Sequence, residues 1–432
     1  MKMRNLPQPF KKLRLFSLIL SALPLLLAGC AEEKKKEEEF LISIYGPPPA
    51  RLFNDEQYKT IKDAHVDIIF NIGTPGLSAD REGNLETLDM AQKHGLKVYV
   101  FDSRIGQGDE KIAEMVNDFK DHPALAGYYI TDEPDTSRLR SAVELMLKVK
   151  RLDPAKDAYI NHLPDWAIDG KEDYEHSFLK RYIEGAGKEN IEYIAFDNYP
   201  FKRGSRLEKT YFNNLEIIRR VGLKYDLKTS SCLQSFGMGF NGVVELRRPN
   251  ADELRMNVYS NLAYGIKNAV WYPYYTRDNP SEELRMYKSI IDSVGVKTDM
   301  YEPFRQLNSE MKQLGRTLIQ LDAREVYHCG DSLWTGTQPP PADFIARLTD
   351  KKAEVILTRL TDKYSKKEYL MVTNRSFLKP SQLEVHLTAP VKEVMEISKT
   401  DGNPHKAAYD NAGKTITIEL LPGEGRLYRL DE

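Results

Sequence analysis

Two adjacent carboxylates, Asp132 and Glu133, close the run 125–134, LAGYYITDEP. The residues before them are apolar or aromatic and suit a strand covered on both faces. Two acids fixed at the open end of such a strand are costly to place unless something uses them. Pro134 cannot donate to a ladder and biases Glu133 toward an extended backbone. A second acid ends a similar run: Asp197 in IAFDNYP, 194–200. One protonated carboxyl and one ionised carboxyl can cleave a glycosidic bond, the first giving a proton to the leaving oxygen. The second either attacks the anomeric carbon or activates a water. Glu133 has the reach for the acid, and the charge of Asp132 beside it would raise its pKa. The alternative for Glu133 is an acid interacting with the start of the next helix. Asp197 is the candidate partner; its alternative is a hydrogen-bond anchor for a loop or a ligand hydroxyl.

The elements that must hold these acids alternate along the chain. Eight apolar runs read as strands: 41–45, 66–72, 97–102, 125–131, 158–162, 191–199, 228–236 and 269–275. Amphipathic helices separate them. Asn84, Thr136 and Asn250 are the expected caps of three, with Gly95 and Gly265 closing the first and the last. Eight strand–helix units in about 280 residues match an α/β fold of the (β/α)8 TIM-barrel type, and no glycine-rich phosphate loop argues for an open sheet. From Glu325 onward short alternating strands follow without helices, at 344–348, 354–358, 369–373, 383–387 and 415–420. They read as a small C-terminal antiparallel β-sandwich, reached through a helix over 299–321. The expected division is a leader at 1–29, a charged tether at 30–39, the barrel at 40–323 and the sandwich at 324–432.

A barrel of this type carries its site at the C-terminal ends of the strands. That rule selects Asn71, Asp102, Asp132, Asn161, His162, Tyr199, Gln234, Trp271 and Tyr272 as substrate-binding candidates. Amides and acids suit sugar hydroxyls, and aromatic rings suit the apolar face of a pyranose. His162 is alternatively structural, and Trp271 alternatively part of the core.

The near balance of 62 basic and 64 acidic residues points away from nucleic acid. Three cysteines make no disulfide framework. No metal-binding spacing, calcium loop or serine-nucleophile elbow is present, so neither a metal nor another cofactor is expected.

The first residues place Lys2, Arg4, Lys11, Lys12 and Arg14 before an apolar stretch at 15–27 that is too short to span a bilayer. Leu27 to Cys30, LAGC, resembles a bacterial lipobox, which implies a lipid on Cys30 and a membrane partner. The run 31–39, AEEKKKEEE, then reads as a solvated tether. The resemblance implies a bacterial cell-envelope location, at the outer membrane and facing either the periplasm or the exterior.

The motifs GYYITDEP (127–134), NLAYGIKNAVW (261–271) and LPGEGRLY (421–428) resemble the clan-A (β/α)8 glycoside hydrolases, in particular their β-galactosidase-like branch. That resemblance implies an oligo- or polysaccharide substrate, Glu133 as acid/base, and a nucleophilic glutamate at the end of the seventh strand. The chain departs there: Asp132 replaces the expected asparagine and Gln234 the expected nucleophile. Either Asp197 supplies the second carboxylate, or a loop acid such as Glu245 does, or the cleft only binds glycan. With the nucleophile position vacant, the pair is expected to work by inversion, across an intervening water.

Overall fold

The computed structural model describes residues 38–72, 79–168, 173–204, 206–277, 281 and 283–431. The leader 1–29, Cys30 and the tether as far as residue 37 lie outside the described residues. No helix among the described residues is long and apolar enough to cross a membrane.

The strands in chain order are β1 (Leu41–Tyr45), β2 (Ile68–Asn71), β3 (Lys97–Val100), β4 (Leu125–Asp132), β5 (Asp157–His162), β6 (Tyr193–Asp197) and β7 (Lys228–Gln234). A hairpin of β8 (Met238–Phe240) and β9 (Val243–Leu246) follows, then β10 (Asn268–Tyr272) and β11 (Leu284–Met286). β1 to β7 and β10 close a parallel barrel in chain order, with β10 pairing back to β1 through Ile42–Ala269 and Ile44–Trp271. Every barrel strand falls on a run expected from the sequence.

Helices α1 (Asp55–Asp63), α2 (Arg81–Lys93), α3 (Asp109–Phe119), α4 (Leu139–Leu152), α5 (Lys180–Ala186), α6 (Tyr211–Tyr225), α7 (Ala251–Ala263) and α8 (Tyr301–Leu318) accompany the strands. Strand residues such as Ile42, Ile69, Val98 and Ile160 pack in one cluster with the helices. Tyr45, Phe70, Tyr99, Tyr129, Tyr159 and Val270 form a second cluster inside the barrel. Burial on both faces is why these strands read as unbroken apolar runs.

Asn250 caps α7 as expected, in a capping box with Glu253. The other two expected caps differ. α2 starts at Arg81 under an Asp80 cap, which places Asn84 inside the helix, donating to the Phe101 carbonyl. α4 starts at Leu139, because Asp135 turns the chain first by accepting from the Ser137 and Arg138 amides.

A six-stranded and a four-stranded antiparallel sheet make up the C-terminal sandwich, which opens with strand Leu321–His328 directly after α8. Val355, Leu370, Val385 and Ile418 pack between its layers. The LPGEGRLY segment has a physical reason for its glycines. A Cβ on Gly423 would lie 2.5 Å from the Met256 amide and one on Gly425 2.7 Å from the Tyr259 ring, so the segment seats directly on α7. β8, β9 and β11 form a separate three-stranded sheet that the sequence reading did not anticipate.

Candidate active site

A cleft of about 570 Å³ opens at the C-terminal ends of the barrel strands. Asp132 and Glu133 enter it from β4, Asn161 from β5, Asp197 and Tyr199 from β6 and beyond, Cys232 from β7 and Tyr272 from β10. Six of the sequence candidates for the site therefore meet in one place: Glu133, Asp197, Asp132, Asn161, Tyr199 and Tyr272.

Glu133 does not adopt the extended backbone expected before a proline. Its φ of 43° lies in the left-handed region, a conformation that costs a non-glycine residue of order 1–3 kcal/mol. Two bonds hold it there. Its amide donates to the Asn161 carbonyl at 2.9 Å, continuing the β4–β5 ladder, and its carbonyl accepts from Arg138 Nη2 at 2.6 Å. The strained residue is the one whose carboxyl enters the cleft.

That carboxyl is in side-chain hydrogen-bonding contact with Asp197. Burial raises the pKa of Asp197 well above the carboxylate range, and the charges of Glu133 and Asp132 raise it further. The Tyr199 side chain also hydrogen-bonds to Asp197, which lowers its pKa and opposes the effects of burial and of Glu133. Glu133 is also raised, chiefly by burial. The contact with Asp197 opposes that rise and the charge of Asp132 adds to it, so Asp132 acts in the expected direction but is not the main cause. Two carboxyls in contact at a desolvated site cannot both ionise cheaply, and they titrate as a pair.

Asp132 is exposed to the cleft, and its Oδ1 accepts from the Tyr129 hydroxyl at 2.7 Å and from Asn161 Nδ2 at 3.2 Å. Tyr129 in turn bonds the Tyr45 hydroxyl at 3.1 Å. The barrel interior thus fixes Asp132 from below. Tyr199 and Tyr272 stack with centroids 5.7 Å apart, and Phe236 meets both edge-on at 5.1 and 5.4 Å. This aromatic wall flanks the carboxyl pair.

Five candidates lie elsewhere. Asn71 donates to Asn84 on α2, behind the strand. Asp102 is fully buried in an ion pair with Arg104 and caps the short turn of helix that follows it. His162 packs its ring 4.3 Å from Tyr182, and burial lowers its pKa to about 3. Trp271 is fully buried against Phe304 and donates to Asn308 on α8, so it belongs to the core and is no sugar platform. Gln234 spends its amide on the backbone of Phe201, Phe236 and Arg247. The strand-seven side chain that lines the cleft is Cys232, a buried free thiol. Alternation from Ser230, whose hydroxyl meets Tyr159 inside the barrel, was the available signal for it. Glu245 is exposed on β9 and is not among the cleft-lining residues. Arg277, which donates to the Tyr272 hydroxyl at 2.8 Å, and the apolar residues of β8, β9 and β11 come from loops and carried no such signal.

No family model matches the sequence, and no curated protein matches it. Solved structures do. A catalytic mutant of a GH42 β-galactosidase from G. stearothermophilus aligns over 91% of this chain and 98% of its own, at 9% identity and TM-score 0.59. The β-galactosidase from Bacillus circulans sp. alkalophilus aligns over 91% and 99%, at 8% identity and TM-score 0.57. The fold is that of a clan-A (β/α)8 glycoside hydrolase. The chain spans 62% of the length of another match, the β-galactosidase from the psychrophilic Marinomonas ef1, at 10% identity and TM-score 0.48. In this glycoside-hydrolase-like barrel the fourth strand presents its glutamate to the cleft, whereas the seventh presents a cysteine and the sixth an aspartate.

Proposed function

We propose that the protein hydrolyses an O-glycosidic bond in an oligo- or polysaccharide, with Glu133 as acid/base and Asp197 as its partner. The observation that carries this reading is that Glu133 and Asp197 line one cleft at the barrel mouth, where burial and their mutual interaction shift both. Carboxyls close enough to share a hydrogen bond stand nearer each other than the inverting arrangement expected from the sequence requires. Inversion needs the carboxyls about 6.5–9.5 Å apart, retention about 5–5.5 Å. Carboxyls in contact stand nearer the retaining separation than the inverting one, and retention is the mechanism proposed for test. In the free protein Asp197 is the more strongly raised of the two and holds the pair's proton. Turnover requires that proton to pass to Glu133, which gives it to the leaving oxygen while Asp197, now ionised, attacks the anomeric carbon and forms a glycosyl ester. Glu133, now ionised, takes a proton from water, and that water releases the sugar from Asp197. Asp132, fixed by Tyr129 and Asn161, offers its second oxygen to a sugar hydroxyl. Tyr272 supplies a ring face.

The same reading places the protein at the bacterial cell envelope, held at the outer membrane by a lipid on Cys30; this part rests on the LAGC motif and the charged run after it. Cys232 on the seventh strand favours one alternative, a glycan-binding lipoprotein without turnover. Incubating wild type and Glu133→Gln with a glycan panel and following reducing ends separates the two. The glycosidase releases ends that the variant does not. Glycan bound but never cut, with affinity unchanged in Glu133→Gln, establishes the binder.

A further inference from the structure

We propose that the cleft holds an apolar aglycone, an alkyl or aryl group attached through the scissile oxygen, on the three-stranded sheet that rises from one side of it. This deepens the glycosidase reading and rests on it for the position of the scissile bond. The argument starts from strand register. Met238 on β8 pairs with Leu246 on β9 and with Met286 on β11, so these three side chains form one cross-strand row. All three line the cleft. The next row, two residues along β8, joins Phe240 to Leu284 and, past a β-bulge that sets Val243 three residues from Leu246, to Val243. Leu284 still lines the cleft, while Phe240 and Val243 are 47% and 40% exposed. These rows thus form one apolar surface that runs from the cleft lining out to solvent.

Sugar hydroxyls gain nothing from such a surface, which offers them neither donor nor acceptor. An apolar group does, and the exposed end of the face is costly unless something covers it. The polar residues that suit a sugar ring, Asp132, Asn161, Glu133 and Asp197, come from β4 to β6. The apolar sheet comes instead from the loops after β7 and β10. The two halves of the cleft therefore have different chemistry, one for the glycone and one for what leaves it. Two methionines in the inner row are suited to groups of varied shape, because the thioether chain is flexible and polarisable. Gly239, between the two rows, has its backbone against Val243 and Tyr287, where a Cβ would lie 2.9 and 3.2 Å from their atoms. That close approach brings the hairpin's own backbone together.

The test compares octyl with methyl β-glycosides of galactose, glucose, xylose and mannose, whose leaving alcohols are chemically alike. Binding to the full chain is measured by calorimetry below the micelle threshold. The proposal expects the octyl member of at least one pair to bind about tenfold tighter or better, from burial of its chain. Met238→Gln together with Met286→Gln should remove that ratio, whereas Glu133→Gln should keep it. Equal binding within every pair, no binding at all, or a ratio that survives the methionine changes overturns the proposal. Release of free sugar is read separately on the same compounds. An octyl preference without release leaves the apolar subsite standing and removes the glycosidase reading. Release without an octyl preference does the reverse.

Discussion

Replacing both acids of the pair, Glu133→Gln with Asp197→Asn, should remove a specific part of the protein's pH–stability profile. The ordinary values of the two groups are 4.5 and 3.8, and both are raised in the folded chain, mainly by burial. Between the ordinary and the raised values the native state holds a proton that the unfolded chain has already lost. Stability from this source is complete below the ordinary values. It falls as pH rises and stops falling once the folded pair is itself ionised. One shared proton corresponds to a slope of about 1.4 kcal/mol per pH unit, or a tenfold rise in the unfolding constant. Asp197, only 6% exposed, carries most of this, since Glu133 is better screened by solvent. Burial also raises Asp157, to about 6, and Asp165. These two titrate identically in both proteins and cancel in the difference. Urea unfolding of wild type and double variant, at closely spaced values from about pH 5 to pH 6, reads the slope directly. Curves that stay parallel across this range would refute a proton shared by the two acids.

Asp132→Asn should lower the pKa of Glu133, because it removes a charge that raises it. The alkaline limb of the pH–activity profile should then move to lower pH. Trp271→Phe should cost about 1–3 kcal/mol of stability through the lost Asn308 bond and a smaller ring, with glycan affinity unchanged in calorimetry. Gly423→Ala should be destabilising by roughly 2 kcal/mol or more, since a Cβ would press on α7 at a φ of 72°; thermal unfolding measures it.

The barrel was legible because both faces of its strands are buried, which left eight apolar runs with helices between them. The site was legible where a strand ends on an acid that faces inward, as at Glu133 and Asp197. It failed where position at a strand end was taken for direction. Asn71, Asp102, His162 and Trp271 all stand near strand ends, yet they bond or pack with the helices and turns around the barrel. Gln234 shows a further limit, since its partners are backbone groups of loops that no local pattern brings together. The sheet of β8, β9 and β11 was missed for the same reason: its strands are three or four residues long, and β11 comes from a different loop. The left-handed Glu133 was hidden too, because the bonds that impose it come from Asn161 and Arg138.

The most direct test is covalent trapping. Wild type and Asp197→Asn are treated with 2-deoxy-2-fluoro glycosides bearing a dinitrophenyl leaving group, over the same range of sugars, and mapped by mass spectrometry. A glycosyl label on Asp197 in wild type, absent from the variant, is the expected result. A label on Cys232 or any other side chain, or cleavage that leaves no label, would contradict a mechanism run by Glu133 and Asp197.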